Sequence, residues 1–275
     1  MLNDAEFALI AREVKQRSGA VLTRDMSGAA EIRLQPLSRR EGFGSVGELV
    51  GAARIRPDGT LWNNITDCLA HAETRFFRDR AQFEKLRTEI IPAAIARRGH
   101  ERVRVWSAAC ATGQEPYSLA MLVDDMRNEG ANAAVEILAT DMSQRLIDKA
   151  RSGLYTQFEI QRGLPIRKLI AHFEKAGDLW RISDRLRASV KYEQHNLMKH
   201  PGGLGQFDII LLANVLTSFD AETAGAVLDR VADALAPGGV IMLGAGETLP
   251  DTASGYTLEN GFVRRASDAA RVAAA

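Results

Sequence analysis

Four polar residues follow directly on short apolar runs: Glu115 beyond Val103, Val105 and Trp106, Asp141 at the end of residues 135–140, Asn196 after 190–195, and Asn214 after 207–212. In an open parallel sheet, ligands bind outside the carboxyl ends of the strands, so these are the positions where chemistry is expected. An acid after the second strand can accept hydrogen bonds from ribose hydroxyls, and an asparagine amide can both donate and accept. The small residues of 107–113 leave room for the body of a ligand. That loop has one glycine, Gly113, and lacks the G-x-G-x-x-G spacing that seats a pyrophosphate on a helix N-terminus. The pattern points to a nucleoside without phosphates and away from a dinucleotide. Each residue also has an ordinary structural use: Glu115 can offset a helix dipole, Asp141 can end a strand, and the asparagines can form turns.

Other chemistries find less support. Cys68 and Cys110 lie far apart and have no neighbouring histidine pairs, so neither a disulfide framework nor a metal site is expected, and a reducing compartment fits best. The 35 basic and 35 acidic residues balance, which leaves no footprint for neutralising the phosphates of nucleic acid. The start carries Asp4 and Glu6 where a signal peptide carries basic residues, and no long uncharged apolar segment occurs. A cytoplasmic protein that does not insert in membranes is expected.

The elements that must position these residues fall into two textures. Residues 1–70 read as helices joined by turns, with a cap at Asn3 before Phe7, Ile10 and Val14, a second at Ser45 before Leu49 and Val50, and a turn at Pro57, Asp58 and Gly59. Residues 71–98 read as an interdomain linker and helix interrupted by Pro92, with Phe76 and Phe77 as interdomain core. From 99 to 262, short apolar strands alternate with helical patterns, the mark of a parallel α/β sheet. The helix expected from Ala221 to Leu235 is followed by a turn at Pro237, Gly238 and Gly239 and a strand over 240–243. Residues 155–187 are too long for an ordinary connection and are expected to form a small insertion. Residues 263–275 are set aside as a tail.

The run Trp106-Ser-Ala-Ala-Cys-Ala-Thr-Gly-Gln-Glu-Pro-Tyr-Ser-Leu-Ala120 resembles the first cofactor motif of the CheR family of chemotaxis receptor methyltransferases. Glu73 to Asp79 is similar to that family's Thr-x-Phe-Phe-Arg segment. In the family's order follow Ala139-Thr140-Asp141, Arg162-Gly163-Leu164-Pro165, Asn196-Leu197, Asn214-Val215-Leu216, Phe219-Asp220, Pro237-Gly238-Gly239 and Gly246-Glu247. The resemblance covers residues 4 to about 262. It implies a class I, Rossmann-like methyltransferase domain with a small β-subdomain insertion at about 162–191, preceded by a small all-α N-terminal domain. It implies S-adenosylmethionine as cofactor, held by Thr74, Arg78, Glu115, Asp141, Asn196, Leu197 and Asn214, with Arg78 also as the catalytic residue and no metal. It further implies methyl transfer to glutamates on cytoplasmic helices of chemoreceptors. A glutamate has an ordinary pKa near ~4.3, so it is an anion at neutral pH and attacks without a general base. Alignment is then the enzyme's main task.

Three positions depart from the family. Ala213 stands where it has Arg, Ser218 where it has Tyr, and Ala72 where Asn is common; nearer the start, Asp25-Met26 replaces a Lys while Arg33-Leu34 match. Three readings stay open: an active protein-glutamate methyltransferase, a cofactor-binding regulatory or scaffolding protein that has lost catalysis, and a small-molecule methyltransferase. Lys175 to Leu179 leaves little room for a loop between strands, so no grip on a receptor's C-terminal pentapeptide is expected.

Overall fold

A computed structural model describes residues 2–56, 58–70 and 73–267, so Pro57 of the expected turn, Ala72 and the tail from 268 to 275 lie outside the described residues. The chain divides into two compact units, residues 1–71 with 217–223, and residues 72–216 with 224–275.

The first unit is helical: α1 (Asp4–Ser18), α2 (Ser27–Arg40), α3 (Val46–Ile55) and α4 (Thr60–Leu69). Asn3 and Glu6 cap α1 reciprocally, each side chain accepting the other's backbone N–H at 2.9 Å. Ser45 caps α3 through the Glu48 amide at 3.1 Å, while the Glu48 carboxylate turns to the Gly44 amide instead of closing a capping box. The apolar stripes Ile10 and Val14, Leu34, Leu49, and Leu61 and Ile65 meet in a core closed to solvent. The segment 217–223 belongs to this unit. The Val21 N–H donates to the Ser218 carbonyl at 2.9 Å, and Lys15 pairs with Asp220 at 2.5 Å. Hydrogen bonds from Lys15 and from the Thr223 side chain and backbone hold the Asp220 carboxyl well below the usual carboxylate range.

The second unit is built on β1 (Val103–Ala108), β2 (Val135–Asp141), β6 (Val190–Gln194), β7 (Phe207–Leu211), β8 (Leu235–Met242), β9 (Tyr256–Glu259) and β10 (Phe262–Arg265). These form one sheet in the order β6-β2-β1-β7-β8-β10-β9, parallel through β8 and antiparallel beyond it. The strand β7 is buried at every position, as a parallel strand covered on both faces must be. The helices α7 (Gln114–Asn128), α8 (Gln144–Ser152) and α12 (Ala221–Asp233) connect the strands. Chain order reverses between β1 and β7, and a crevice is expected at that switch point.

Several expectations are corrected. Phe76 is core within this unit, edge-on to Tyr155 and Phe173 with ring centroids 5.1 and 5.7 Å away, not interdomain packing. The stretch expected as a linker and a helix interrupted at Pro92 contains two helices, α5 (Arg80–Lys85) and α6 (Ile91–Arg98), joined by a π turn, Leu86–Ile90, with Pro92 the second residue of α6. The Pro-Gly-Gly stretch is not a turn before a strand; it bulges inside β8, where Phe207 pairs with Leu235 but Ile209 already pairs with Val240. Residues 263–265 are no tail, because β10 lies between β8 and β9 and Val263 is fully buried.

The insertion holds α9 (Gln157–Gln161), α10 (Ile166–His172) and α11 (Asp184–Ala188). Its sheet has three antiparallel strands, β3 (Leu154–Tyr155), β5 (Leu179–Ile182) and β4 (Phe173–Ala176). The strand β3 lies at the start of the over-long segment read from Tyr155, and ahead of residue 162, where the resemblance puts the β-subdomain. Only Gly177 and Asp178 join β4 to β5.

Candidate cofactor site

At the carboxyl edge of β1 the chain runs through left-handed backbone at Ala109 (φ 62°) and Ala111 (φ 48°) before Gly113 (φ 91°) starts α7. Alanine adopts this region at a cost on the order of 1–3 kcal/mol, so the loop is imposed by its surroundings. Asp141 is one of them. It is buried at the end of β2, one oxygen accepting the Ala111 amide and the other the Ser143 amide, both at 2.9 Å. Gly113 has no room for a side chain: a Cβ would lie 2.8 Å from the Ala150 Cβ and 3.1 Å from the hydroxyls of Tyr155 and Tyr192.

The next residues bring charge together. Ser107 donates to Glu115 at 2.7 Å. Burial pushes the Glu115 carboxyl up to about 7; the Ser107 bond and Arg78 lower it, while the neighbouring acids Asp79 and Glu247 raise it. Arg78 donates to the Glu73 carbonyl at 3.0 Å and forms no ion pair among the described residues. The surface pair with Asp79 or Glu84 that is an arginine's ordinary fate is not made. Its neighbour Phe77, also left-handed at φ 46°, anchors this segment by donating its N–H to Ser118 Oγ at 2.9 Å.

Asn214 follows β7 in left-handed backbone at φ 60°. Its N–H donates to Glu247 Oε2 at 2.6 Å, and its side-chain nitrogen lies 3.4 Å from Asp79 Oδ2, which also accepts the Ala245 amide at 3.1 Å. Arg78, Glu115 and Asn214 therefore share one neighbourhood with Asp79 and Glu247. Asp141 stands one strand away, under the same loop. Asn196 and Leu197 follow β6, whose end pairs with β2 at Asp141, and the Asn196 side chain accepts the Met198 amide at 2.9 Å. Thr74 is half-buried in the irregular stretch before Phe76. Asp79 and Glu247 are not among the residues the sequence singles out, although they lie in the family-like segments 73–79 and 246–247. The signal available was position, since each lies beside a residue that was singled out or just past a strand.

The arrangement presents acceptors. Glu115, Asp141 and the asparagine oxygens suit a ligand rich in donors and carrying positive charge, and Ala109, Ala111, Gly113 and Gly244 take little space. Among the described residues no three His, Cys, Asp or Glu side chains converge to hold a metal ion, and no helix is long and apolar enough to cross a membrane.

Residues 72–261 match the family described as CheR methyltransferase, SAM binding domain. The chain belongs to the CheR methyltransferase family. It is similar to chemotaxis protein methyltransferase 1 of Pseudomonas aeruginosa, 34% identical over 93% of this chain and 94% of that one. Chemotaxis protein methyltransferase Cher2 of Pseudomonas putida is 34% identical over 86% and 87%. The corresponding protein of Vibrio anguillarum is 33% identical over 90% of each. The CheR cofactor is S-adenosylmethionine, and the residues present suit it: ammonium, ribose hydroxyls and a sulfonium cation meet carboxylates and amide oxygens. When bound it supplies an electrophilic methyl group.

Proposed function

We propose that this CheR methyltransferase transfers the methyl group of S-adenosylmethionine to glutamate carboxylates on cytoplasmic helices of chemoreceptors. The observation that carries this reading is Arg78, a guanidinium with no ion pair among the described residues, in the same neighbourhood as Glu115 and Asn214. A guanidinium can hold an incoming carboxylate by two parallel hydrogen bonds. Thr74, Arg78, Glu115, Asp141, Asn196, Leu197 and Asn214 hold the cofactor in this reading, with Asp141 and Glu115 receiving its donors. The substrate glutamate is already ionised, so the protein's contribution is to align nucleophile and methyl group and to exclude water. The two-residue connection between β4 and β5 supports a chain that does not grip a receptor's terminal pentapeptide.

A second reading, a cofactor-binding regulatory protein without turnover, is favoured by Ala213 and Ser218. Two groups able to orient the carboxylate or shield the methyl are missing there, and a misplacement of about 1 Å can cost roughly a hundredfold in rate. The active reading leads because the nucleophile needs no activation and Arg78 is present. Slower transfer than in relatives carrying both groups is expected. The test is incorporation of labelled methyl into receptor membranes by the natural chain and by Ala213→Arg combined with Ser218→Tyr. Incorporation by the natural chain supports the enzyme; incorporation by the double variant alone makes the natural chain a binding protein.

A further inference from the structure

Asn214 is held in a strained backbone conformation by two carboxylates. One oxygen of Glu247 accepts the backbone N–H of Asn214 at 2.6 Å and that of Gly244 at 2.7 Å, so it clasps the residue after β7 to the loop after β8. Short contacts from two amides to one anionic oxygen belong to the strong class of hydrogen bonds. The other oxygen, Glu247 Oε1, is buried without a hydrogen-bond partner. Such an orphan costs on the order of 1–3 kcal/mol, so this carboxylate is not an optimum for stability alone. The orientation of the Asn214 amide is fixed as well. A carboxylate only accepts, so the nitrogen end faces Asp79 and the oxygen end is left for another donor. Gly244 is part of the device: a Cβ there would lie 2.6 Å from Asn214 Nδ2 and 2.8 Å from its Oδ1, so any larger residue would displace the amide.

We propose that Glu247 is a positioning residue of the cofactor site that acts through Asn214, fixing the left-handed turn from which the Asn214 oxygens meet a donor group of S-adenosylmethionine. The proposal rests on Asn214 being a cofactor contact. A carboxylate that merely stabilised the loop would lower the melting temperature without its effect on the cofactor depending on the Asn214 side chain.

The test is a double-mutant cycle on the full chain, reading S-adenosylmethionine affinity by calorimetry and folding by thermal melting. Glu247→Ala and Asn214→Ala are each expected to weaken binding roughly tenfold or more, and the double variant to bind no more weakly than the worse single one. Glu247→Gln, whose amide oxygen can still take both backbone N–H groups, is expected to return affinity to within about threefold of the natural chain. Multiplying losses in the double variant, unchanged affinity in a folded Glu247→Ala, or a Gln form as weak as the Ala form would each overturn the proposal. Unchanged affinity in Asn214→Ala would instead remove Asn214 from the cofactor site, and the proposal with it. Where the alanine form does not fold, Glu247→Asp, with its carboxylate withdrawn by one methylene, serves in the same cycle.

Discussion

Ser107, near the end of β1, donates its hydroxyl to Glu115, the second residue of α7, across 2.7 Å, so the loop between them closes on a bond joining its own two ends. The bond favours the ionised carboxylate, but burial opposes it more strongly and leaves the group near 7. Proton uptake should therefore accompany folding between the ordinary carboxylate value of 4.5 and about 7. The folded chain holds the proton more tightly than the unfolded one. This contribution is thus fully present below the unfolded pKa and lost as pH rises through the folded one. Glu115→Gln, which keeps an acceptor for Ser107, should flatten the decline in melting temperature across this window. An unchanged pH profile would show that Glu115 titrates normally.

Asp141→Ala should weaken S-adenosylmethionine binding by about 1.5–3 kcal/mol in calorimetry. It should also lower the melting temperature, because the Ala111 and Ser143 amides lose their shared acceptor. Asp141→Asn keeps one of those bonds and should fall between. Unchanged affinity in the alanine variant would take Asp141 out of the site.

Gly113→Ala should destabilise the chain by about 1–3 kcal/mol, since the new Cβ meets Ala150 in a backbone conformation that alanine resists. Chemical denaturation measures it. A neutral result would mean that the loop relaxes freely, and the strain assigned to Ala109 and Ala111 would lose its support.

Asp208 has no exposed side-chain surface and joins Arg97 at 3.1 Å, Arg98 at 2.8 Å and the Arg104 amide at 3.0 Å, which ties α6 to β1 and β7. Asp208→Ala should cost about 2–4 kcal/mol while leaving cofactor affinity per folded molecule unchanged. A loss below about 0.5 kcal/mol, the range of ordinary surface changes, would show that the arginines are satisfied by water instead.

The alternation of strand and helix from Val103 onward was legible because parallel strands buried on both faces show as apolar runs such as residues 207–212. The cap at Asn3 was equally plain, since its partner sits three residues away. The remaining features depend on distant contacts or on turn chemistry. Asn260-Gly261 between residues 256–259 and 262–265 is a strong hairpin signal that would have placed β9 and β10. The bulge in β8 comes from register with β7, which no local pattern encodes. Arg78, Glu115, Asp141 and Asn214 stand out in the sequence as residues at strand ends or in a motif, whereas Asp79 and Glu247 lie in family-like segments with no local sign that their carboxylates bind the loops together. The partners of Asp79, and the Asn214 amide that Glu247 accepts, lie far away in sequence.

The bond from the Ala245 amide to Asp79 joins residues 166 apart along the chain, and the acceptors gathered around it come from loops spread over nearly all of that interval. Such a site has no early precursor during folding. Contacts of this sequence separation must close large loops before they return any free energy, so they favour slow, late assembly. On the proposed site, a chain still emerging from the ribosome that has completed β1, α7 and β2 holds no cofactor, because Asn214 and Glu247 have yet to arrive. Cofactor present during refolding therefore stabilises only the finished domain, by mass action, and leaves partly assembled chains without protection.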